Sequence, residues 1–553
     1  MKKKISFENI YFNIDTLRNN ILKDIYSNRH KLDNYKNFSI QDFEILLSRQ
    51  IYVLLNNFLL KVMNIFQSNK KRTDLLIKNH IFYFYNSTEE IVYHNYNDIE
   101  YNDSLNDLLI NIIYNNILLD YEIKYKKNFS FKSVLKNFYY YFLNKNLKNK
   151  TYVFDSNKWL FHVFDKNNIL RNYQSNIMSV NYGLRNIIKQ IVYKTFHRDF
   201  KKLFSSYDEE FNINIATLFS DYFITYLSLS LIEGYKIQES MYLKILKESK
   251  IKFIHTSNGI LTSDYFKIFS IVGKRFGCSI VSHEHGVFNY LPIMPLDNKI
   301  TSFYKIHDTL RCSDFFIAWS NRKNMDIYKN VEKNLDVKIL NIGSVYLNML
   351  TKKSISNDVD LNTILYLDSP IRKYRISEIE DSYENLYSRK IQICNLFKNI
   401  IKSNPKIKII YKPFPYNYPA NPINDLINIL PAENFIINKN NSIDQMRKTN
   451  LIISDSLSTA FAESILLKKN MLIFGNEFEY NNSSIEGKKI NDLLFNDEIL
   501  FYKTDKLLNK IKYILNKKNN IKFQLITSRV EFLNSAAHPI SREDFLNKIS
   551  NLI

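Results

Sequence analysis

The sequence predicts an α/β protein with parallel sheets and a helix-rich N-terminal region. From roughly residue 250 onward, short apolar runs alternate with helical segments, and most runs end in a polar or glycine turn. This alternation is typical of βαβ units. Turn-forming residues show the same division, since no glycine precedes Gly183 and no proline precedes Pro292. The chain therefore changes character between its N-terminal part and the rest.

Apolar residues at helical spacing dominate the N-terminal region. They predict helices over Phe43–Phe66 and Leu105–Leu119. The most apolar stretches, Ile51–Phe66 and Phe211–Ile232, are each interrupted by a charged residue, so we expect buried helices rather than membrane spans. The basic N-terminus is soon followed by acidic residues, and we expect no signal peptide there.

A first series of α/β elements is predicted before residue 350. Its strands are expected at Ile251–His255, Cys278–Ser282, Phe315–Trp319 and Val337–Ile342, with helices at Ser263–Arg275 and Met325–Asn334. Strand-like runs at Ile81–Tyr85 and Thr151–Phe154 are candidates for the edge of a sheet.

A second series follows the polar, linker-like segment Thr351–Asn362. Its strands are expected at Thr363–Leu367, Lys406–Tyr411, Asn434–Ile437, Leu451–Ser454 and Met471–Phe474, with helices at Glu380–Ile401, Asn424–Leu430, Ser442–Lys448 and Ala460–Leu467. Two such sheets predict two lobes facing a cleft, with ligands outside the carboxyl ends of the strands.

The length of 553 residues and the hydrophobic content of 45% suffice for two or three domains. We expect a helix-rich region at 1–150, a Rossmann-like lobe at 151–350 and a second Rossmann-like lobe at 351–553. The three cysteines lie far apart and form no CxxC pair. This spacing favours neither a disulfide framework nor a zinc cluster, and indicates a reducing cytoplasm.

The net charge of +21 favours anionic partners such as nucleic acid, acidic lipid or phosphorylated substrates. The lysines are spread along the whole chain, however, and a nucleic-acid interface needs them clustered on one element. We therefore expect mostly solvated surface charge and no nucleic-acid partner. A nucleic-acid binder would instead show a steep salt dependence of binding.

The segment ISDSLSTAFAES at 453–464 predicts a phosphate site. A strand ends beside Asp455, and three hydroxyls, those of Ser456, Ser458 and Thr459, stand at the start of a helix. The N–H groups there and the helix dipole favour an anion. Plain N-capping by serine or threonine explains the pattern equally well. Glu463, one turn further, could reach a ribose hydroxyl or simply face solvent.

The segment SHEHG at 282–286 lies at the end of another predicted strand. Histidine titrates near neutrality and is a common general base for a hydroxyl. Gly286 allows a tight turn or a close backbone approach. His283 and His285 could instead ligate a metal, although no third ligand has recognisable spacing. A purely structural histidine pair is the other alternative.

Basic residues follow two further strands. Lys412 in YKPFP could meet a phosphate as a point charge, and its position could also be chance in so lysine-rich a chain. Arg372 and Arg375 follow the strand at the start of the second lobe, and arginine forks suit a diphosphate. Gly343 ends the last strand of the first lobe and is a second candidate for backbone approach.

In their order and spacing these motifs resemble bacterial glycosyltransferases of the GT-B fold. They are most similar to the superfamily of CDP-glycerol glycerophosphotransferases and capsular or surface polysaccharide transferases. The resemblance covers roughly residues 250–480. It is carried by His285-Gly286, the ILY…R segment from Ile364 to Arg372, the loop Lys412 to Pro415, and the helix start Asp455 to Glu463.

The resemblance implies a metal-independent transferase without a cofactor, at the cytoplasmic face of the membrane. Its donor would be a nucleotide-activated sugar or polyol, and its acceptor a glycan or lipid-linked glycan. His285 would be the base, and we place Glu284 with it as catalytic. Ser456, Ser458, Thr459, Arg372 and Lys412 would hold the donor phosphates, and Glu463 the ribose.

Two departures from the family pattern keep alternatives open. Phe414 replaces the usual histidine of the loop, and Glu284 replaces the usual Gln or Trp before His-Gly. A catalytically silent relative that scaffolds polysaccharide assembly would keep the fold and show no turnover. A metallohydrolase using His283 and His285 would carry a stoichiometric metal.

Overall fold

The computed structural model describes most of the chain. The described residues are 7–68, 80–84, 99–115, 118, 121–125, 151–153, 160–163, 180–205, 207–257, 263–286, 310, 312–321, 336–352, 360–369, 383–413, 430–438, 440–481, 483, 485–516 and 523–552. The fold divides into two compact units. The first unit comprises 1–283, 299–316 and 332–338, and the second comprises 284–298, 317–331 and 339–553.

The N-terminal region is helical. Its helices are α1 Phe7–Ser27, α2 Ile40–Ser68, α3 Ile99–Asn115, α4 Leu160–Val163, α5 Tyr182–Leu203, α6 Glu209–Tyr226, α7 Leu229–Ile232, α8 Tyr235–Glu248 and α9 Asp264–Arg275. By length and composition α2 could cross a membrane over Ile40–Met63, but 94% of its apolar window is buried inside the protein. Apart from the exposed Ile213, the apolar residues of α6 and α7 are likewise buried, which confirms the prediction of core helices.

Two sheets contain the first seven strands. These are β1 His80–Phe84, β2 Tyr121–Tyr125, β3 Thr151–Val153, β4 Phe253–Thr256, β5 Ser279–His283, β6 Phe315–Ala318 and β7 Lys338–Asn341. Strands β1 and β2 form a parallel pair of their own. The other five form one sheet in the order β3-β4-β5-β6-β7, which confirms that the run at residue 151 lies at a sheet edge.

The second unit contains a six-stranded sheet in the order β10-β9-β8-β11-β12-β13. The strands are β8 Asp360–Leu367, β9 Lys408–Lys412, β10 Phe435–Ile437, β11 Thr449–Ser454, β12 Asn470–Phe474 and β13 Leu500–Phe501. All five strand pairings are parallel. The helices of this region are α10 Val345–Thr351, α11 Tyr383–Ser403, α12 Ser442–Lys448, α13 Thr459–Leu466, α14 Glu477–Asn481, α15 Ile485–Asn496, α16 Thr504–Asn516, α17 Thr527–Ala536 and α18 Arg542–Leu552.

The core of the second unit is built from residues at strand and helix spacing. Ile364 and Tyr366 are two residues apart on β8 and therefore share one face of the sheet. Ile393 and Phe397 are four residues apart on α11 and share one helix face, and all four belong to one buried cluster. Burying each such side chain contributes ~1.5–3 kcal/mol. This packing fixes the carboxyl ends of β8 and β11 relative to α11.

The predicted class is confirmed: the protein is a mixed α/β protein with parallel sheets and a helix-rich N-terminal region. The predicted strands of both series appear within a few residues of their expected ends. The helix predicted at Met325–Asn334 lies outside the described residues, as does the one at Asn424–Leu430 except for Leu430. The division into three domains with boundaries near residues 150 and 350 stays a prediction.

Candidate functional site

The hydroxyl-rich turn stands at the carboxyl end of β11, where the chain enters α13. Ser456, Ser458 and Thr459 are all half-buried. An internal hydrogen bond stabilises the turn: the Ser454 hydroxyl donates to the Ser456 carbonyl at 3.0 Å. The start of α13 has the partial positive charge of a helix N-terminus. The arrangement can therefore present hydroxyls and N–H groups to an anion.

Simple N-capping does not account for the Ser458 hydroxyl. Ser458 occupies the N-cap position of α13 in an extended conformation, yet its side chain makes no capping hydrogen bond. Polar residues at the same position of α5, α7, α9 and α10 do accept such a bond; they are Asn181, Ser228, Ser263 and Ser344. The capping alternative considered from the sequence is thus wrong for this side chain.

The loop after β5 closely approaches the start of α13. Gly286 has φ +94°, and a Cβ built on it would lie 2.6 Å from the Thr459 hydroxyl oxygen. Only glycine has both the backbone freedom and the absence of a side chain that this contact requires. His285, the residue before it, is exposed. All of these residues belong to the second unit, so the predicted base is adjacent in sequence to a residue that touches the predicted phosphate turn.

Glu284 has a different position from the one expected of a catalytic acid or base. Its side chain is buried, and its Oε2 accepts a hydrogen bond of 2.6 Å from the backbone N–H of Trp319. Burial raises the pKa of this carboxyl well above its usual value, against the opposing effect of that hydrogen bond. The side chain does not face solvent, which favours holding the loop beside His285 over the catalytic role expected from the sequence.

His283 forms a buried pair with another histidine of the first unit. Its Nε2 lies 2.8 Å from Nδ1 of His255, on the neighbouring strand β4. Burial lowers the pKa of both rings, that of His255 to about 3. These contacts match the structural alternative for His283 rather than a metal site shared with His285. Within the described ranges no group of three or more His, Cys, Asp or Glu residues could hold a metal ion.

Glu463 is buried on α13 and does not face solvent. Its Oε1 accepts a hydrogen bond of 2.6 Å from the Tyr346 hydroxyl on α10. Burial raises the pKa of Glu463, and the bond from Tyr346 acts in the opposite direction. The ring of Tyr346 stacks on Trp319, with centroids 6.3 Å apart. The expected contact with a ribose would have to share this carboxyl with Tyr346.

Gly343 makes its close backbone approach to another part of the chain. It has φ +104°, and a Cβ there would lie 2.7 Å from the carbonyl oxygen of His538. The next residue, Ser344, donates its backbone N–H to the same carbonyl at 2.7 Å. The glycine at this position is therefore explained by packing against the C-terminal segment.

The predicted basic residues are only partly described. Lys412 is half-buried at the end of β9, and burial lowers the pKa of its ammonium group. Its carbonyl accepts the backbone N–H of Asp368 at 3.2 Å, so Lys412 lies at the carboxyl end of the sheet as predicted. Arg372, Arg375 and Phe414 lie outside the described residues.

A buried charged cluster that was not predicted from the sequence lies at the same end of the sheet. The Lys390 ammonium on α11 donates to Asp455 at 2.9 Å, to the Ser369 carbonyl at 2.7 Å, and to Asp368. A signal was present, because Lys390 lies three and four residues before the buried Ile393 and Cys394. A lysine on the apolar face of a helix needs a buried partner.

Several solved structures show a distant likeness. UDP-GlcNAc 2-epimerase from Neisseria meningitidis, solved with UDP-GlcNAc, has 12% identity and a TM-score of 0.34, over 59% of this chain and 82% of that chain. The S. aureus MnaA–UDP structure has 12% identity and a TM-score of 0.36, over 58% and 82%. A ugt transferase from Siraitia grosvenorii, solved with UDP, has 8% identity and a TM-score of 0.33, over 59% and 83%. At these scores we draw no conclusion from the likeness.

Sequence comparison gives a firmer result. No curated protein sequence matches the chain. A family model, described as LIC12162 family transferase, matches residues 44–519. This match spans most of the chain and includes both series of α/β elements and the turn before α13. The protein is therefore a transferase that belongs to the LIC12162 family.

Proposed function

We propose that this chain is a glycosyltransferase or polyol-phosphate transferase of the GT-B type. It moves a group from a nucleotide-activated donor onto a cell-surface polysaccharide or glycolipid acceptor. The reaction needs no metal ion, and the protein works in the cytoplasm, peripherally on the inner face of the membrane. Its membership of a transferase family supports the reaction class.

The observation that carries the proposal is the contact between Gly286 and Thr459. It joins the loop of the exposed His285 to the start of α13. An imidazole near neutrality can take the proton of an acceptor hydroxyl as that oxygen attacks the donor carbon or phosphorus. The bond to the leaving nucleotide breaks at the same time. Donors fixed at a helix start stabilise the negative charge that develops on its phosphate.

The hydroxyls of Ser456, Ser458 and Thr459 would hold that phosphate, together with Lys412 and Arg372. Glu463 would bind the ribose with the carboxyl oxygen that does not accept the hydrogen bond from Tyr346. Three half-buried hydroxyls at one helix start support the assignment. So does the absence of a capping bond from Ser458.

Two steps test the proposal. Thermal shift with CMP, CDP, UDP and GDP compounds identifies the nucleotide, and transfer is then measured with the matching donor. His285→Ala should lower the transfer rate by roughly 10²–10⁴-fold without lowering the melting temperature, since the side chain is exposed. Equal transfer by parent and variant would remove His285 from the mechanism. Nucleotide binding without turnover of any donor would indicate the scaffold alternative.

A further inference from the structure

Lys390 makes a complete set of hydrogen bonds inside the second unit. An ammonium group has three N–H donors, and here they meet three acceptors: Asp455, Asp368 and the Ser369 carbonyl. The side chains of Lys390, Asp368 and Asp455 are 2%, 0% and 6% exposed. We call Lys390, Asp368, Ser369 and Asp455 the lysine cluster.

Further hydrogen bonds hold the two carboxylates of the lysine cluster in place. The Tyr366 hydroxyl donates to Asp455 Oδ2 at 3.0 Å, and the Ser369 N–H donates to Oδ1 of the same carboxylate at 2.9 Å. The Tyr411 hydroxyl donates to Asp368. The cluster thus ties the carboxyl ends of β8, β9 and β11 to α11.

A buried ion pair is a weak source of stability, because desolvating the charges offsets much of their attraction. Such a pair does fix geometry, since each group has few alternatives for its hydrogen bonds. Asp455 directly precedes Ser456. The lysine cluster therefore fixes the residue from which the hydroxyl turn starts.

We propose that Lys390 is a positioning residue for the diphosphate of the nucleotide donor, acting through Asp455 on the turn at 456–459. This inference rests on the proposed function. Lys390 does not touch the ligand. It keeps Asp455 ionised and turned inward, so that the turn after it keeps one conformation and its hydroxyls are preorganised for phosphate.

The pH behaviour of the cluster follows from its charges. Lys390 faces Asp368, Asp455 and, on its own helix, Cys394. The hydroxyls of Tyr366 and Tyr411 face the two carboxylates. In the parent, burial raises the pKa of Asp455, but Lys390, Ser369 and Tyr366 outweigh it and the pKa is lowered. Its contribution to stability is therefore lost as the pH falls. Without Lys390 the two buried carboxyls repel and hold a proton to higher pH, so the variant should lose stability as the pH rises.

Lys390→Met tests the inference, with Arg185→Met as the matched control. Arg185 on α5 is equally buried and pairs with Glu233 at 2.8 Å, but both belong to the first unit. Melting temperatures and calorimetric affinities for pyrophosphate, CDP, UDP and GDP are measured at about pH 5.5 and about pH 7.5. Both variants should melt earlier than the parent near neutrality. Only Lys390→Met should lose affinity for these ligands, by at least about tenfold at the higher pH. Part of the lost affinity should return at the lower pH, because protonation relieves the repulsion between the two carboxyls.

The outcomes separate the two proposals. If the parent binds a nucleotide and folded Lys390→Met binds it equally, the positioning role is wrong and the proposed function stands. If the parent binds none of the probes, the proposed function fails and this inference falls with it. Should Lys390→Met not fold at either pH, the double variant Lys390→Met/Asp368→Asn, which removes one charge of each sign, takes its place in the same comparison.

Discussion

Helices α10 and α13 begin in the same way, yet their first turns differ. Each follows a parallel strand, β7 or β11, and each has an extended serine at the N-cap. Ser344 accepts the backbone N–H of Leu347 at 3.4 Å, whereas Ser458 makes no capping bond. A glycine with positive φ adjoins each start: Gly343 packs against His538, and Gly286 against Thr459. The start of α10 is satisfied by the protein itself, and we infer that the start of α13 is completed by a ligand.

The largest expected effect comes from comparing the two glycines. Gly286→Ala and Gly343→Ala both force a side chain into a left-handed conformation, and each should cost ~1–3 kcal/mol of unfolding free energy. Gly286→Ala also pushes the His285 loop away from Thr459, so it should lower transfer by at least about a hundredfold. Initial rates and urea unfolding measure the two effects. Equal rate losses in the two variants would contradict the inference that only the start of α13 binds the ligand.

A smaller effect is expected from the hydroxyls. Replacing Ser456, Ser458 and Thr459 together by Ala removes hydroxyl donors to a charged group, but the backbone N–H groups of the helix start remain. Nucleotide affinity should fall by about tenfold or more, with little change in stability. Ser344→Ala should instead cost ~1 kcal/mol of stability through its lost cap and leave affinity alone. Calorimetry and thermal unfolding on both proteins check this, and unchanged affinity in the triple variant would contradict the phosphate site.

The smallest effect concerns Glu463, which links α13 to Tyr346 on α10. Burial raises its pKa in the folded state, so the folded protein binds a proton that the unfolded chain releases near pH ~4.3. Stability should fall as the pH rises from there through the raised pKa. Glu463→Gln should flatten this part of the curve. Urea unfolding at a series of pH values tests it, and an unchanged slope would show that Glu463 is ionised in the folded state.

The alternation of apolar and polar runs made the sheets predictable. Buried parallel strands such as β12 are nearly continuous apolar runs, and polar or glycine turns mark their ends. The helix start at residue 459 was therefore located within one residue. The contact of Gly286 with Thr459 joins residues from separate α/β series, and only the glycine itself signalled a close approach.

The roles of buried polar side chains were not predictable in the same way. Glu284 and Glu463 follow strand and helix patterns that leave their exposure open, and only the packed structure shows both of them buried. His538 forms a side-chain hydrogen bond with Asn321, which lies 217 residues away in sequence. Such pairings depend on tertiary packing, which single-sequence periodicity does not contain.

The stacking of Trp319 on Tyr346 gives the protein an internal optical reporter. The chain has two tryptophans, and Trp159→Phe would leave Trp319 as the sole tryptophan, which can be excited apart from the tyrosines. Tyr346 bonds to Glu463 on the helix whose start we assign to the donor, so an occupied site should alter the emission of Trp319. A fluorescence titration with the cognate nucleotide would then follow binding without a label. A spectrum that saturating nucleotide does not change would show that binding leaves the surroundings of Trp319 unaltered.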